Sequence, residues 1–108
     1  ATIANVYNEH GYLIDTHTAV AYKPMLEHKT DRPTVVVSTA SPFKFCDSVL
    51  DALGEKTDAS GVELIEKLAS FTGNAAPAPL CGLDKRSVRF ETVIEKQAMK
   101  QAVTEFLK

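Results

Sequence analysis

Apolar residues recur at three-and-four spacing in five places along the 108-residue chain, and in one further place they run unbroken. Ile3, Val6 and Tyr7 predict a helix already under way at the first residues, with Gly11 placed to end it in the left-handed conformation. Asp15 and Thr16 can each accept from the freed N–H groups of a second helix, whose apolar positions are Ala19, Val20, Tyr22, Met25 and Leu26. Pro24 inside it predicts a kink or an early break. Phe43, Cys46, Val49, Leu50 and Leu53 mark a third helix, capped by Ser41, started by Pro42 where a missing N–H costs nothing, and closed by Gly54. Ser60 and Glu63 have the spacing of a capping box ahead of Val62, Leu64, Ile65, Leu68, Ala69 and Phe71, and Gly73 stops that fourth helix. Met99, Ala102, Val103, Phe106 and Leu107 predict a closing helix.

The unbroken run is PTVVV, and Thr34 to Val37 read as a strand with no alternation of apolar and polar residues. Such a strand is covered on both faces, as in a parallel sheet between helix layers. Val88 to Ile94 alternate weakly enough to predict at most a short second strand, reached through the proline-punctuated connector NAAPAPLCG. One doubly buried strand with one or two weak ones cannot satisfy its own N–H and C=O groups. The expected fold class is therefore α/β, with this chain an incomplete fragment of a larger sheet protein, mostly helices around one strand. An isolated chain of that kind is expected to associate through the exposed strand edge.

Composition narrows the function classes. Hydrophobic residues make up 44% and mean hydropathy is -0.09, which suits a packed soluble core. A formal net charge of -2 without runs of like charge gives no footprint for nucleic acid or an anionic membrane. The amino end lacks the basic-then-apolar layout of a secretion signal and nothing approaches a membrane span, so the expected location is the cytoplasm. Cys46 and Cys81 form no C-x-x-C pair, which leaves no metal site and no redox dithiol to expect.

The chemistry concentrates where the valine run ends. In open α/β sheets ligands bind beyond the carboxyl ends of strands, where a helix N-terminus offers N–H groups to an anion or a polar ring. Ser38, Thr39 and Ser41 occupy that position, and their plainest role is to cap the helix at Pro42. Lys44 would be the third residue of that helix, where the dipole disfavours a cation, and so either faces a nearby anion or acidic side chain or carries its charge out to solvent on its long stem. A free-standing module binding a small anion or a peptide at this turn is the alternative function, against which the missing sheet partners weigh.

Two stretches carry a resemblance. GYLIDTHTAVAYK followed by PTVVVSTASPFKF resembles the carboxyl-terminal part of the threonine synthase family, whose members carry a D-P-H-T-A-V-like helix start and a T-A-H/S-P-x-K-F turn. The likeness continues more loosely through SVLDALG and FETVIEKQAMKQAVTEFL. Thr16 stands where the family often has proline, and Ser41 where many members have histidine. The resemblance implies a pyridoxal 5'-phosphate lyase of the tryptophan-synthase-β-like fold (fold type II). Its reaction turns O-phospho-L-homoserine and water into L-threonine and phosphate by β,γ-replacement. Thr39 matches the hydroxyl set against the pyridine nitrogen; Ser38 beside it and His17 of the helix-start motif are further candidates to meet the cofactor, with a structural role in the first turn of the helix equally open to His17. The lysine that carries the cofactor and the glycine-rich phosphate loop lie upstream in the resemblance. This chain is then expected to hold no catalytic residue, to be inactive alone, and to depend on the remainder of the same polypeptide. Residues 1–54 would belong to the cofactor-binding sheet domain and 55–108 to a helical cover.

Overall fold

A computed structural model describes residues 1–28 and 30–108. Helix α1 spans Thr2–His10 and ends where the Gly11 N–H donates to the Tyr7 carbonyl at 2.8 Å, with Gly11 at φ 64. That positive φ is the conformation glycine adopts at least cost, which is why the predicted stop holds. Helix α2 spans Thr16–Glu27 with Asp15 as its N-cap. Pro24 does not break it. Val20, whose carbonyl loses its usual partner to the proline ring, is 75% exposed, so that oxygen belongs to a solvent-facing part of the helix, and the His28 N–H still closes on the Pro24 carbonyl.

The third predicted helix is divided in two. Ser41 Oγ accepts from the Phe43 N–H at 3.3 Å and starts a single 3₁₀ turn, Pro42–Lys44. Phe45 then leaves helical geometry at φ -135 and ψ 49, and helix α3 runs Cys46–Ala52. The break seats Phe43 in the core and leaves Phe45 half-buried beside α2. Helix α4, Glu63–Thr72, begins without the expected capping box: Glu63 N–H meets the Ser60 backbone carbonyl at 3.2 Å, and no side chain caps the helix. A box needs extended backbone at the cap followed directly by helix, whereas Gly61 at φ 56 interposes a turn. Gly73 closes α4 at φ 68.

Helix α1 packs on α2 and α3, and α3 packs on α4. Val49, Leu50 and Leu68 are sealed from solvent at the centre, with Ile3, Val6 and Ile14 around them. Tyr7 Oη donates to the Thr72 carbonyl at 2.8 Å, tying α1 to the end of α4.

The doubly buried strand expected at Thr34–Val37 is not present. Among the described residues there is no strand, and Val35 and Val37 are 85% and 70% exposed. A strand exists by its ladder partners, and none adjoin this segment here. The segment nevertheless keeps a two-residue alternation: Thr34, Val36 and Ser38 line an open groove of about 450 Å³ with residues of α1 and α2, while Val35 and Val37 turn outward. The weak strand expected over Val88–Ile94 is likewise absent, and its apolar side chains are exposed. Helix α5, Met99–Phe106, follows a 3₁₀ turn at Lys96–Ala98 and leaves Val103 and Phe106 open to solvent. The radius of gyration is 18.5 Å, against about 13 Å for a compact domain of this length. The α1–α4 cluster is thus a small core from which the valine segment and the last helix extend uncovered.

Candidate functional site

Asp15 organises the polar centre of the molecule. Its carboxylate has no solvent exposure and sits where the chain turns from the buried pair Leu13 and Ile14 into α2. Oδ2 accepts from the His17 N–H at 2.9 Å and from His17 Nδ1 at 3.1 Å. Oδ1 accepts from the Thr18 N–H at 3.1 Å and from the Thr18 hydroxyl. Burial pushes the Asp15 pKa up, but the bonds from the Thr18 hydroxyl, both backbone N–H groups and the His17 ring outweigh it, holding the carboxyl below its ordinary 3.8. Asp15 is therefore an anion near neutral pH, and the first turn of α2 is wrapped around it, where the helix dipole favours negative charge.

Two arms leave this carboxylate. Because it only accepts, His17 must carry its proton on Nδ1, which leaves Nε2 of neutral His17 bare on a side chain that is 67% exposed. The His17 ring lies 5.0 Å from the Phe45 ring, tilted by 46°. On the other arm, Thr18 Oγ1 lies 2.9 Å from Ser38 Oγ, joining the start of α2 to the end of the valine segment across 20 positions of sequence. No buried side-chain polar atom among the described residues is left without a partner.

The structure thus brings together two of the three sequence-predicted site residues, His17 and Ser38, around a third group that sequence reasoning treated only as a helix cap. Thr39 follows directly, exposed, and its hydroxyl has no partner among the described residues. Ser41 is spent on its cap. Lys44 pairs with no carboxylate among the described residues; its ammonium stands 5.9 Å from the Phe45 ring centre, a cation–π contact. Thr18 was not singled out from the sequence. The signal available was Asp15 followed three residues later by a hydroxyl, a spacing that places both at one helix start.

Comparison with known proteins decides the family. The family model "Threonine synthase, C-terminal" matches residues 18–106. The chain belongs to the threonine synthase family. It is 35% identical over 109 residues to a threonine synthase of Methylobacillus glycogenes, a match covering 98% of this chain and 19% of that protein. It is 39% identical over 85 residues to threonine synthase-like 1 of Mus musculus, covering 73% of this chain and 11% of that protein. A threonine synthase of Corynebacterium glutamicum is 40% identical over 57 residues, covering 51% of this chain and 12% of that protein. The chain therefore spans about a fifth or less of the length of these relatives. No solved structure matches it. The family match includes Thr18, Ser38 and Thr39 and begins just after His17. No helix among the described residues is long and apolar enough to cross a membrane.

Proposed function

We propose that this chain forms one wall of the pyridoxal-phosphate site of a threonine synthase that converts O-phospho-L-homoserine and water into L-threonine and phosphate. The observation that carries the proposal is the 2.9 Å hydroxyl contact between Thr18 and Ser38, because it joins both family-like motifs at one place in an otherwise open structure. The hydroxyls fit the group: Thr39 is neutral, exposed and uncommitted, as a partner of a pyridine nitrogen should be, and the one nearby carboxylate is buried and already saturated by four donors. When bound, the cofactor supplies an electron sink for charge developing on the substrate carbons. The chain's own part is to bind and orient the ring. The lysine that carries the cofactor belongs to the remainder of the polypeptide, so the 108 residues alone are inactive. The exposed valines and the large radius of gyration disfavour a free-standing anion- or peptide-binding module.

The test is made in the full-length protein. Thr39→Val removes one neutral hydrogen bond at nearly constant volume and should weaken cofactor binding by about 0.5 to 1.5 kcal/mol. Thr39→Asp places a carboxylate beside the ring nitrogen, raises its proton affinity, and should shift the absorbance of bound cofactor and its pH response. A purely structural role in the turn makes the opposite forecast, since Ser41 already caps the 3₁₀ turn and the exposed Thr39 hydroxyl has no partner to lose. Unchanged absorbance and turnover in Thr39→Asp would therefore refute the contact.

A further inference from the structure

The turn at the end of the valine segment presents two neighbouring hydroxyls, Ser38 and Thr39, whereas a ring nitrogen needs a single donor. Proton accounting along the contacts separates them. The Asp15 carboxylate accepts from four donors, one of them the Thr18 hydroxyl. Thr18 is 5% exposed and its oxygen stands between Asp15 Oδ1 and Ser38 Oγ. A hydroxyl has one proton, and the bond to an anion is the stronger of the two choices. The Thr18 proton therefore goes to Asp15, and the 2.9 Å contact with Ser38 is made by the Ser38 proton pointing inward to the Thr18 oxygen. Ser38 then shows only lone pairs to whatever lies outside. Thr39, with no side-chain partner among the described residues, keeps its proton free.

We propose that Asp15, acting through Thr18, is a positioning residue that commits the Ser38 proton inward and so assigns the donor role toward the cofactor ring to Thr39. The proposal rests on the reading of the chain as a wall of the cofactor site. Neither Asp15 nor Thr18 touches the ring; they decide which hydroxyl of the turn does.

The experiment uses the full-length protein, stripped of cofactor and titrated with pyridoxal phosphate, reading absorbance position and dissociation constant. Thr39→Ala should shift the band and loosen binding about two- to tenfold. Thr18→Val frees the Ser38 proton to compete and should also shift the band, with Thr18→Ser restoring it. Ser38→Ala should keep the wild-type band position, and the double variant Thr18→Val, Ser38→Ala should return toward it because the competitor is gone. A Ser38→Ala shift equal to that of Thr39→Ala would make Ser38 the donor and overturn the proposal. A shift in Thr39→Ala with none in Thr18→Val would overturn it while leaving the cofactor-wall reading standing. If no variant moves the band, Thr39→Ala included, that reading falls and the assignment falls with it.

Discussion

Replacing Asp15 tests the centre of the structure most directly. Asp15→Ala removes the N-cap of α2, which is worth about 0.5 to 2 kcal/mol. It also removes the anionic acceptor of the Thr18 hydroxyl, leaving it the neutral Ser38 oxygen, and a hydrogen bond to a charged group is worth about 1.5 to 3 kcal/mol. The His17 ring is mostly exposed and recovers its bond from water, so it adds little. Loss of the buried anion's own desolvation cost offsets part of the total, leaving about 1 to 4 kcal/mol. That corresponds to a fall of roughly 5- to 700-fold in hydrogen-exchange protection of the Thr18 and Ala19 amides, which bond to the Asp15 side chain and carbonyl. Asp15→Asn keeps one oxygen acceptor and should lose about half as much. The two differ again in acid. Because the folded pKa lies below 3.8, the carboxylate's contribution is fully present above that value and drains away as pH falls through the lower folded pKa. Wild-type protection at these amides should therefore drop below about pH 4, relative to neighbouring helices, and the Asn variant should show no such step. A change under threefold in Asp15→Ala, or the same acid step in Asp15→Asn, would refute the account.

Selective 15N labelling of histidine should find neutral His17 protonated on Nδ1, its signal identified by its loss in His17→Gln; a proton on Nε2 would mean that the ring does not donate to Asp15. Leu68→Ala empties a fully sealed position between α3 and α4 and should destabilise this region by about 2 to 5 kcal/mol in urea denaturation, a loss below 1 kcal/mol refuting the assigned core. Val37→Asp should be severely destabilising in the full-length protein, where the outward face of the valine segment is expected to be covered, with Thr34→Asp at the segment's start as the milder comparison.

What the sequence made legible was local. The stops at Gly11 and Gly73, the Asp15 cap and the Ser41 cap each depend on residues within a few positions of one another, and each is found in place. The splitting of the third helix at Phe45 and the failure of the Ser60 box turn on backbone angles that residue types only bias. The valine run forms no strand here for a different reason. Continuous hydrophobicity reports that two faces want cover, but not whether the covering elements lie in the same 108 residues. The candidate site divides the same way: His17, Ser38 and Thr39 stand out only through motif likeness, whereas the contacts of Asp15 depend on Thr18 meeting a hydroxyl 20 positions away.

The valine segment and the hydroxyl turn are therefore one problem in two parts. The inward side of the segment, Thr34, Val36 and Ser38, is already set against α1 and α2, and a hydroxyl contact with Thr18 joins its end to α2. The outward side, Val35 and Val37, with the backbone edges beside it, is open and cannot hold itself in a ladder. On the proposed reading, strands from the remainder of the polypeptide pair with those edges and a further layer covers the outer valines, giving the doubly covered strand that the run of valines calls for. Thr39 sits at the junction. Its role as the free donor is set by the Asp15–Thr18–Ser38 chain, and its direction by the strand it terminates, which acquires a fixed pleat only when paired. Loss of Thr18 from the relay should then alter the cofactor environment without unfolding the sheet, whereas loss of pairing at Val37 should remove cofactor binding together with the structure.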